Sequence, residues 1–309
     1  MIRLLSITLL LLSNNAMSAP SLVVSIAPVH SIVSNITHGI TKPQLLLKDN
    51  QSAHHFHLKP SQLSLVENAD LVIAIHPRME EGLNKTLSNI ESDKKIYIAS
   101  YDEHDEHDEH DEHDEHDEHD EHDEHDEHDE HDEHDEHSQN SPNYHLWLSI
   151  NHMQNFAKKL TNRLSNLDTK NSAIYQQNYL KLDRKLTLLK QNIQQILKHS
   201  NQSIASYSNA FGHFIKENEL KQSTLITSKH EERLSIYKII KAKKSMQANK
   251  AKCLLASTGV APKRINTLTE GLKINTVQID PIGSEFNSGN RQYFQLLNNV
   301  AIQVNQCLQ

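Results

Sequence analysis

Between Asp102 and His137 a single triplet, Asp-Glu-His, recurs twelve times without a break. Its imidazoles are His104, His107, His110, His113, His116, His119, His122, His125, His128, His131, His134 and His137. Imidazole suits zinc, copper and nickel, and the two neighbouring carboxylates add charge and hard oxygens. Solubility alone does not call for a histidine at every third position. The tract therefore reads as an auxiliary metal-binding loop rather than a solvated acidic tail. It has no apolar residue to bury, so nothing offsets the entropy of ordering, and it is expected to be disordered. At two to four nitrogen donors per ion, twelve imidazoles would hold roughly three to six zinc ions. Copper and nickel would compete there by the usual affinity order. Loading should fall below about pH 6.5, where imidazole protonates.

Three other positions carry ligand chemistry. His54-His55-Phe56-His57 precedes Leu58-Lys59-Pro60-Ser61, and a loop followed by a Pro-opened helix can aim a histidine into a cleft. The alternative is a chance surface cluster. His145 lies in Asn143-Tyr144-His145-Leu146-Trp147-Leu148, just after the repeat, where a histidine merely packed beside the only tryptophan is the alternative. Asp280 ends an expected strand in Asp280-Pro281-Ile282-Gly283; alternatively it is a turn residue accepting backbone hydrogen bonds. No catalytic constellation competes. His230-Glu231-Glu232 lacks a second histidine four residues on, no G-x-S-x-G turn exists, and seven glycines leave little for phosphate-cradling loops.

The elements that must position these residues alternate. Leu22 to Ile26, Gln44 to Leu47, Ala69 to Ile75 and Lys95 to Ala99 read as strands. Between them lie helices from Val29 to His38, Pro60 to Asn68 and Met79 to Ile90. His152 to His199 is helical with a break near Asn166 to Asn171. Strands then follow at Ser203 to Tyr207, Lys252 to Ser257 and Asn275 to Ile279, with helices over Asn209 to Asn218, Glu231 to Asn249, Val260 to Glu270 and Asn290 to Cys307. The expected architecture is α/β: two similar lobes with mainly parallel sheets, joined by one long backbone helix, with a site in the interlobe cleft at the carboxyl ends of strands. The lobes would span residues 20–150, with 102–137 inserted, and 201–309. Residues 151–200 would form the helical connection.

Charge and export fit this outline. The repeat contains 24 of the 40 acidic residues and none of the 31 basic ones, so the rest of the chain sets 31 bases against 16 acids, a net +15. No nucleic-acid recognition motif accompanies that charge. Residues 1–19 read as a signal peptide: Arg3, the apolar run Leu4 to Leu12, then Ala16-Met17-Ser18, with cleavage near Ser18 or Ala19. A periplasmic protein without a membrane span follows. In that oxidising compartment Cys253 and Cys307 favour a disulfide, with two buried free thiols as the alternative.

Several of these segments together resemble the cluster A-I metal-binding family of ABC importers, particularly its zinc branch, through nearly the whole mature chain. They are Ser52-Ala53-His54 with Leu58-Lys59-Pro60-Ser61, Ala69-Asp70-Leu71-Val72, the charged His-rich loop before His145-Leu146-Trp147-Leu148, Ala210-Phe211-Gly212, Asp280-Pro281-Ile282-Gly283, and the cysteine pair. The resemblance implies His54 and His145 as metal ligands, Asp280 as a coordinating carboxylate, a Cys253–Cys307 disulfide, zinc as cargo and an ABC permease as partner. It implies no enzyme activity, and the chain is expected to be a monomer. This sequence departs from the family pattern at the third ligand, histidine or glutamate in relatives, where it has Ser208, and Ala53 replaces a glutamate common in zinc members. His213, His55 and His57 are therefore further candidates. The alternative function is a periplasmic zinc buffer or chaperone with a degenerate transport site.

Overall fold

The computed structural model describes residues 19–48, 53–54, 56–99, 142–228 and 233–309. Residues 1–18 of the expected leader, His55 and the whole Asp102–His137 repeat lie outside them. Among the described residues no helix is long and apolar enough to cross a membrane.

The first lobe is a parallel sheet in the order β2-β1-β3-β4, built from β1 (Leu22–Val24), β2 (Gln44–Leu45), β3 (Leu71–Ala74) and β4 (Lys95–Tyr97). Its crossovers include α1 (Ala27–Ile36), α2 (Pro60–Glu67) and α3 (Glu81–Ser88). Every residue of β1 and β3 is buried, the mark of parallel strands covered on both faces. Proline opens both α1 and α2, where its missing N–H costs no helical bond.

Two helices follow. α4 (Ile150–Leu167) starts at Ser149, whose side chain accepts from the His152 N–H. After a 3-10 turn at Thr169–Asn171, α5 runs over Ser172–Leu197, about 39 Å at 1.5 Å per residue. Tyr175, Asn178, Leu182, Leu186, Leu189, Ile193 and Leu197 recur at three- and four-residue steps and form its buried stripe. Asn178 reaches from that stripe to the carbonyls of Ile36 and His38, closing the C-terminal end of α1.

The second lobe repeats the plan, with β5 (Ile204–Ser206), β6 (Gln222–Leu225), β7 (Cys253–Ser257) and β8 (Asn275–Ile279) in the parallel order β6-β5-β7-β8. Its helices are α6 (Gly212–Glu217), α7 (Ile236–Ala248), α8 (Pro262–Thr269) and α9 (Gln292–Leu308). The sequence pattern predicts no strand at β6. Gln-Ser-Thr-Leu is mostly polar, and as an edge strand it buries only Thr224, so the usual apolar run is missing. The helix expected over Asn209 to Asn218 is instead a 3-10 turn at Asn209–Phe211 that runs into α6. The one expected from Glu231 begins only at Ile236, capped by Ser235.

The lobes are not independent. One apolar cluster runs from the first sheet through α1, α4, α5 and α9 to one face of the second sheet, taking in Cys253 and Leu255. The alternating residues Ala205, Tyr207, Leu254 and Ala256 face a smaller core under α7 and α8. α9 also bonds back to the first lobe: the Tyr293 N–H donates to Ser31 Oγ, and Asn35 Nδ2 donates to the Asn290 carbonyl just before the helix.

Cys253 at the start of β7 and Cys307 in α9 form a disulfide with Cα atoms 5.4 Å apart and 54 residues of separation. It pins α9 to its own sheet while α9 lies against α1 and α5. Replacing both cysteines by serine is expected to cost about 4 kcal/mol, the chain-entropy value for a loop of this length. Urea unfolding of the oxidised chain and the double variant measures the difference; an unchanged midpoint would refute it.

Candidate metal centre

Segments that follow strands of both sheets line two adjoining pockets on one side. The main cleft there, about 560 Å³, is lined by Ile26 and Ala27 after β1, His54 after β2, Met79 after β3, His145 on the return to the sheet edge, Ser257 to Gly259 after β7, and Asp280 after β8. A smaller pocket of about 100 Å³ adjoins it and brings Ser208 and Ser228, after β5 and β6, beside His54, Asn143 and His145.

His54 and His145 come together although 91 positions separate them: their ring centroids are 5.6 Å apart and their planes inclined by 48°. His54 is carried by a loop braced from α3. At Gly82 a β-carbon would fall on the Phe56 carbonyl oxygen, so only glycine permits that approach. His145 is 8% exposed and packs on Trp147 at 5.1 Å. Trp147 is fully buried, and its indole N–H donates to the Pro281 carbonyl at 2.7 Å. The turn that holds His145 is thereby tied to the turn that holds Asp280.

The protonation of His145 follows from its neighbours. Asn143 Nδ2 donates to the Asn209 carbonyl at 2.7 Å, and Asn143 Oδ1 accepts the His145 backbone N–H at 3.1 Å, which orients the amide. Its oxygen lies 2.9 Å from His145 Nδ1. An oxygen cannot donate there, so Nδ1 carries a proton, which leaves Nε2 as the ring nitrogen that could ligate a metal. Asn143 is held in turn from behind. Its carbonyl accepts from His213 Nε2 at 2.7 Å, and Gly212 has room only for hydrogen where Asn143 and Asn209 approach. His213 also meets the His152 ring edge-on at 5.1 Å. It is neither a free surface histidine nor a neighbour of the His54–His145 pair, but a support for Asn143.

Asp280 lines the cleft, with a carboxylate that also organises its own turn. Oδ1 accepts the Ile282 N–H at 2.9 Å, and Oδ2 accepts the Ser284 N–H at 2.8 Å and the Ser284 hydroxyl. These bonds orient the group and leave lone pairs over. Ser208 is buried in the small pocket, and its hydroxyl is a weaker donor than imidazole or carboxylate. His57 is exposed and lines neither pocket. Among the described residues no three His, Cys, Asp or Glu side chains converge at metal-binding distance.

Sequence reasoning missed two residues. Asn143 sits two positions before His145, a spacing that points to a partner for its ring only once the chain has turned back on itself. Glu80 is buried next to Met79, which lines the cleft, with Oε2 accepting the N–H groups of Ile75 at 2.5 Å and His76 at 3.3 Å. Nothing in Met79-Glu80-Glu81 distinguishes it from its exposed neighbour. Burial pushes its carboxyl up to about 7, against the lowering effect of nearby Ser25 and the two backbone donors. Neither Ser25 Oγ nor Glu80 Oε1 makes a hydrogen bond of good geometry. The turn Glu80 braces carries His76, whose ring stacks on Tyr144 at 4.0 Å, next to His145.

Comparison with known proteins bears on the same segments. Residues 22–307 match the family model described as zinc-uptake complex component A, periplasmic. A high-affinity zinc uptake system protein, ZnuA, of Haemophilus influenzae is 35% identical over all of this chain and 98% of its own length. The ZnuA of Brucella abortus is 32% identical over 93% of this chain and 91% of its own. Among solved structures, the periplasmic zinc binding protein TroA from Treponema pallidum superposes with a TM-score of 0.71 over 94% of this chain and 99% of its own, at 12% identity; that likeness bears on the fold alone.

Two outcomes follow from the geometry. Asn143→Ala should weaken zinc binding at the histidine pair about 10- to 100-fold, as expected for removing a ligand's orienting partner. Asn143→Asp, which keeps the acceptor but sets a carboxylate oxygen against the Asn209 carbonyl, should lose less affinity than Asn143→Ala. Competition against a nanomolar chelator measures both, and equal affinities for Asn143→Ala and the parent would disprove the orienting role. Glu80 binds its proton more tightly folded than unfolded, with a pKa of about 7 against 4.5. The contribution of Glu80 to stability is therefore fully present below 4.5 and is lost as pH rises through 7, by on the order of 3 kcal/mol. Glu80→Gln should raise the melting temperature at about pH 8 and do little at about pH 4.5. A gain independent of pH would contradict the assignment.

Proposed function

The chain belongs to the periplasmic zinc-uptake complex component A family, and from that premise we propose that it captures zinc in the periplasm and delivers it to the permease of an ABC importer. The function is transport, with zinc as cargo; it is not an enzyme's. His54 and His145 supply two imidazoles, Asp280 the carboxylate, and water or the Ser208 hydroxyl completes the set. His55 and His57 adjoin the first histidine in sequence, and His213 acts through Asn143. The Asp-Glu-His repeat serves as an auxiliary scavenger, raising the zinc supply beside the cleft by its effective concentration. The exported protein acts as a monomer after loss of its leader near Ser18 or Ala19.

One observation carries this reading: the 5.6 Å between the His54 and His145 rings. Zn–N bonds of 2.0–2.1 Å at a tetrahedral ion set two ring centres about 5 Å apart. The pair thus matches a shared ion with only a small adjustment. Asp280 joins them when its turn closes on the cleft.

Ser208 at the position where relatives carry a stronger ligand favours a second reading, a zinc buffer that no longer drives transport. His54→Ala and His145→Ala should each weaken tight zinc binding at least about 100-fold in chelator competition, with the circular dichroism spectrum unchanged. Parent-like affinity in both variants would remove the proposed site. Rescue of a deletion strain in chelated medium by the parent gene supports delivery; tight binding without rescue leaves the buffer.

A further inference from the structure

Three of the described residues line both pockets: His54, Met79 and His145. Asp280 lines only the main cleft, and Ser208 only the smaller pocket. The hard oxygens thus each belong to one pocket, while a thioether-bearing side chain shares the seam between the two with both imidazoles.

The turn after β3 holds Met79 in place. Its N–H donates to the His76 carbonyl at 3.0 Å, and the carboxylate of Glu80, the next residue, accepts from the N–H groups of Ile75 and His76. Met79 is 3% exposed, and Ile26, Ala27, Leu45, Leu47 and Ala53 make much of the main cleft's wall apolar. Thioether sulfur is polarisable and selects soft ions, which imidazole also binds. Together they suit monovalent copper, whereas the usual donors to zinc do not include a thioether. A single charge also costs less to bring against an apolar wall than a double one. His145 Nδ1 faces Asn143, which leaves Nε2 for either metal.

We propose that the cleft is also a site for monovalent copper, in which His54, His145 and the Met79 sulfur bind Cu(I) in place of zinc. Zinc engages the same two rings with Asp280 and water or the Ser208 hydroxyl. The two ions therefore exclude one another, and Met79 sets the preference between them. This goes beyond the zinc reading but shares its histidine pair.

The Asp-Glu-His repeat offers copper many imidazoles but no sulfur, so a sulfur neighbour does not come from the repeat. X-ray absorption of the full chain, loaded anaerobically with one Cu(I) in the presence of bicinchoninate, should show sulfur beside nitrogen. Met79→Leu, which nearly conserves volume, should remove that sulfur. It should also lower the ratio of Cu(I) affinity to zinc affinity at least about tenfold in parallel chelator competitions. Only nitrogen and oxygen around copper in the parent, or an unchanged ratio in Met79→Leu, overturns the copper site and leaves zinc capture standing. A sulfur signal that persists in the His54→Ala, His145→Ala double variant overturns it as well. Loss of that signal with tight zinc binding retained in the double variant would uphold the copper site and remove the capture reading instead.

Discussion

The buried hydrogen bond from the Trp147 indole to the Pro281 carbonyl joins the two halves of the candidate site. An indole N–H left unpaired in that position would cost about 1–3 kcal/mol. Trp147 packs against His145 on one side, and Pro281 follows Asp280 on the other. Two turns from different lobes therefore cannot separate without exposing the largest buried side chain in the first lobe's cluster. The continuous core through α1, α4, α5 and α9 reinforces the tie.

Around that tie the histidine pair is held from behind. Asn143 sets the ring state of His145, His213 and Gly212 fix Asn143, and Gly82 lets α3 press against the His54 loop. A metal ligand is only as well placed as the groups that hold it, because a ring free to rotate loses part of its binding energy to ordering. Glu80 is the costly member of this support. Its carboxyl is buried with one oxygen lacking a hydrogen bond, yet it braces the turn behind the Tyr144–His145 segment. Burial raises the pKa of that carboxyl, so its charged form is disfavoured while its hydrogen bonds fix the turn.

Much of this was legible in the residues themselves. Apolar runs and Pro-opened helices marked seven of the eight strands and the long helix α5, since burial on both faces demands continuous hydrophobicity. The two cysteines, the histidine-bearing loops and Asp280 stood out by residue type and neighbours. Edge strand β6 did not, because a strand half exposed to water has little need of apolar residues. Asn143, His213 and Glu80 did not either: their roles arise from partners distant in sequence, and an amide, an imidazole or a carboxylate looks the same whether it props a ligand or faces solvent. Composition and periodicity determined the two-lobed fold and the kind of chemistry available. Only the tertiary structure decided which histidine rings lie together and which nitrogen of His145 faces Asn143, because both depend on contacts that form when distant turns meet.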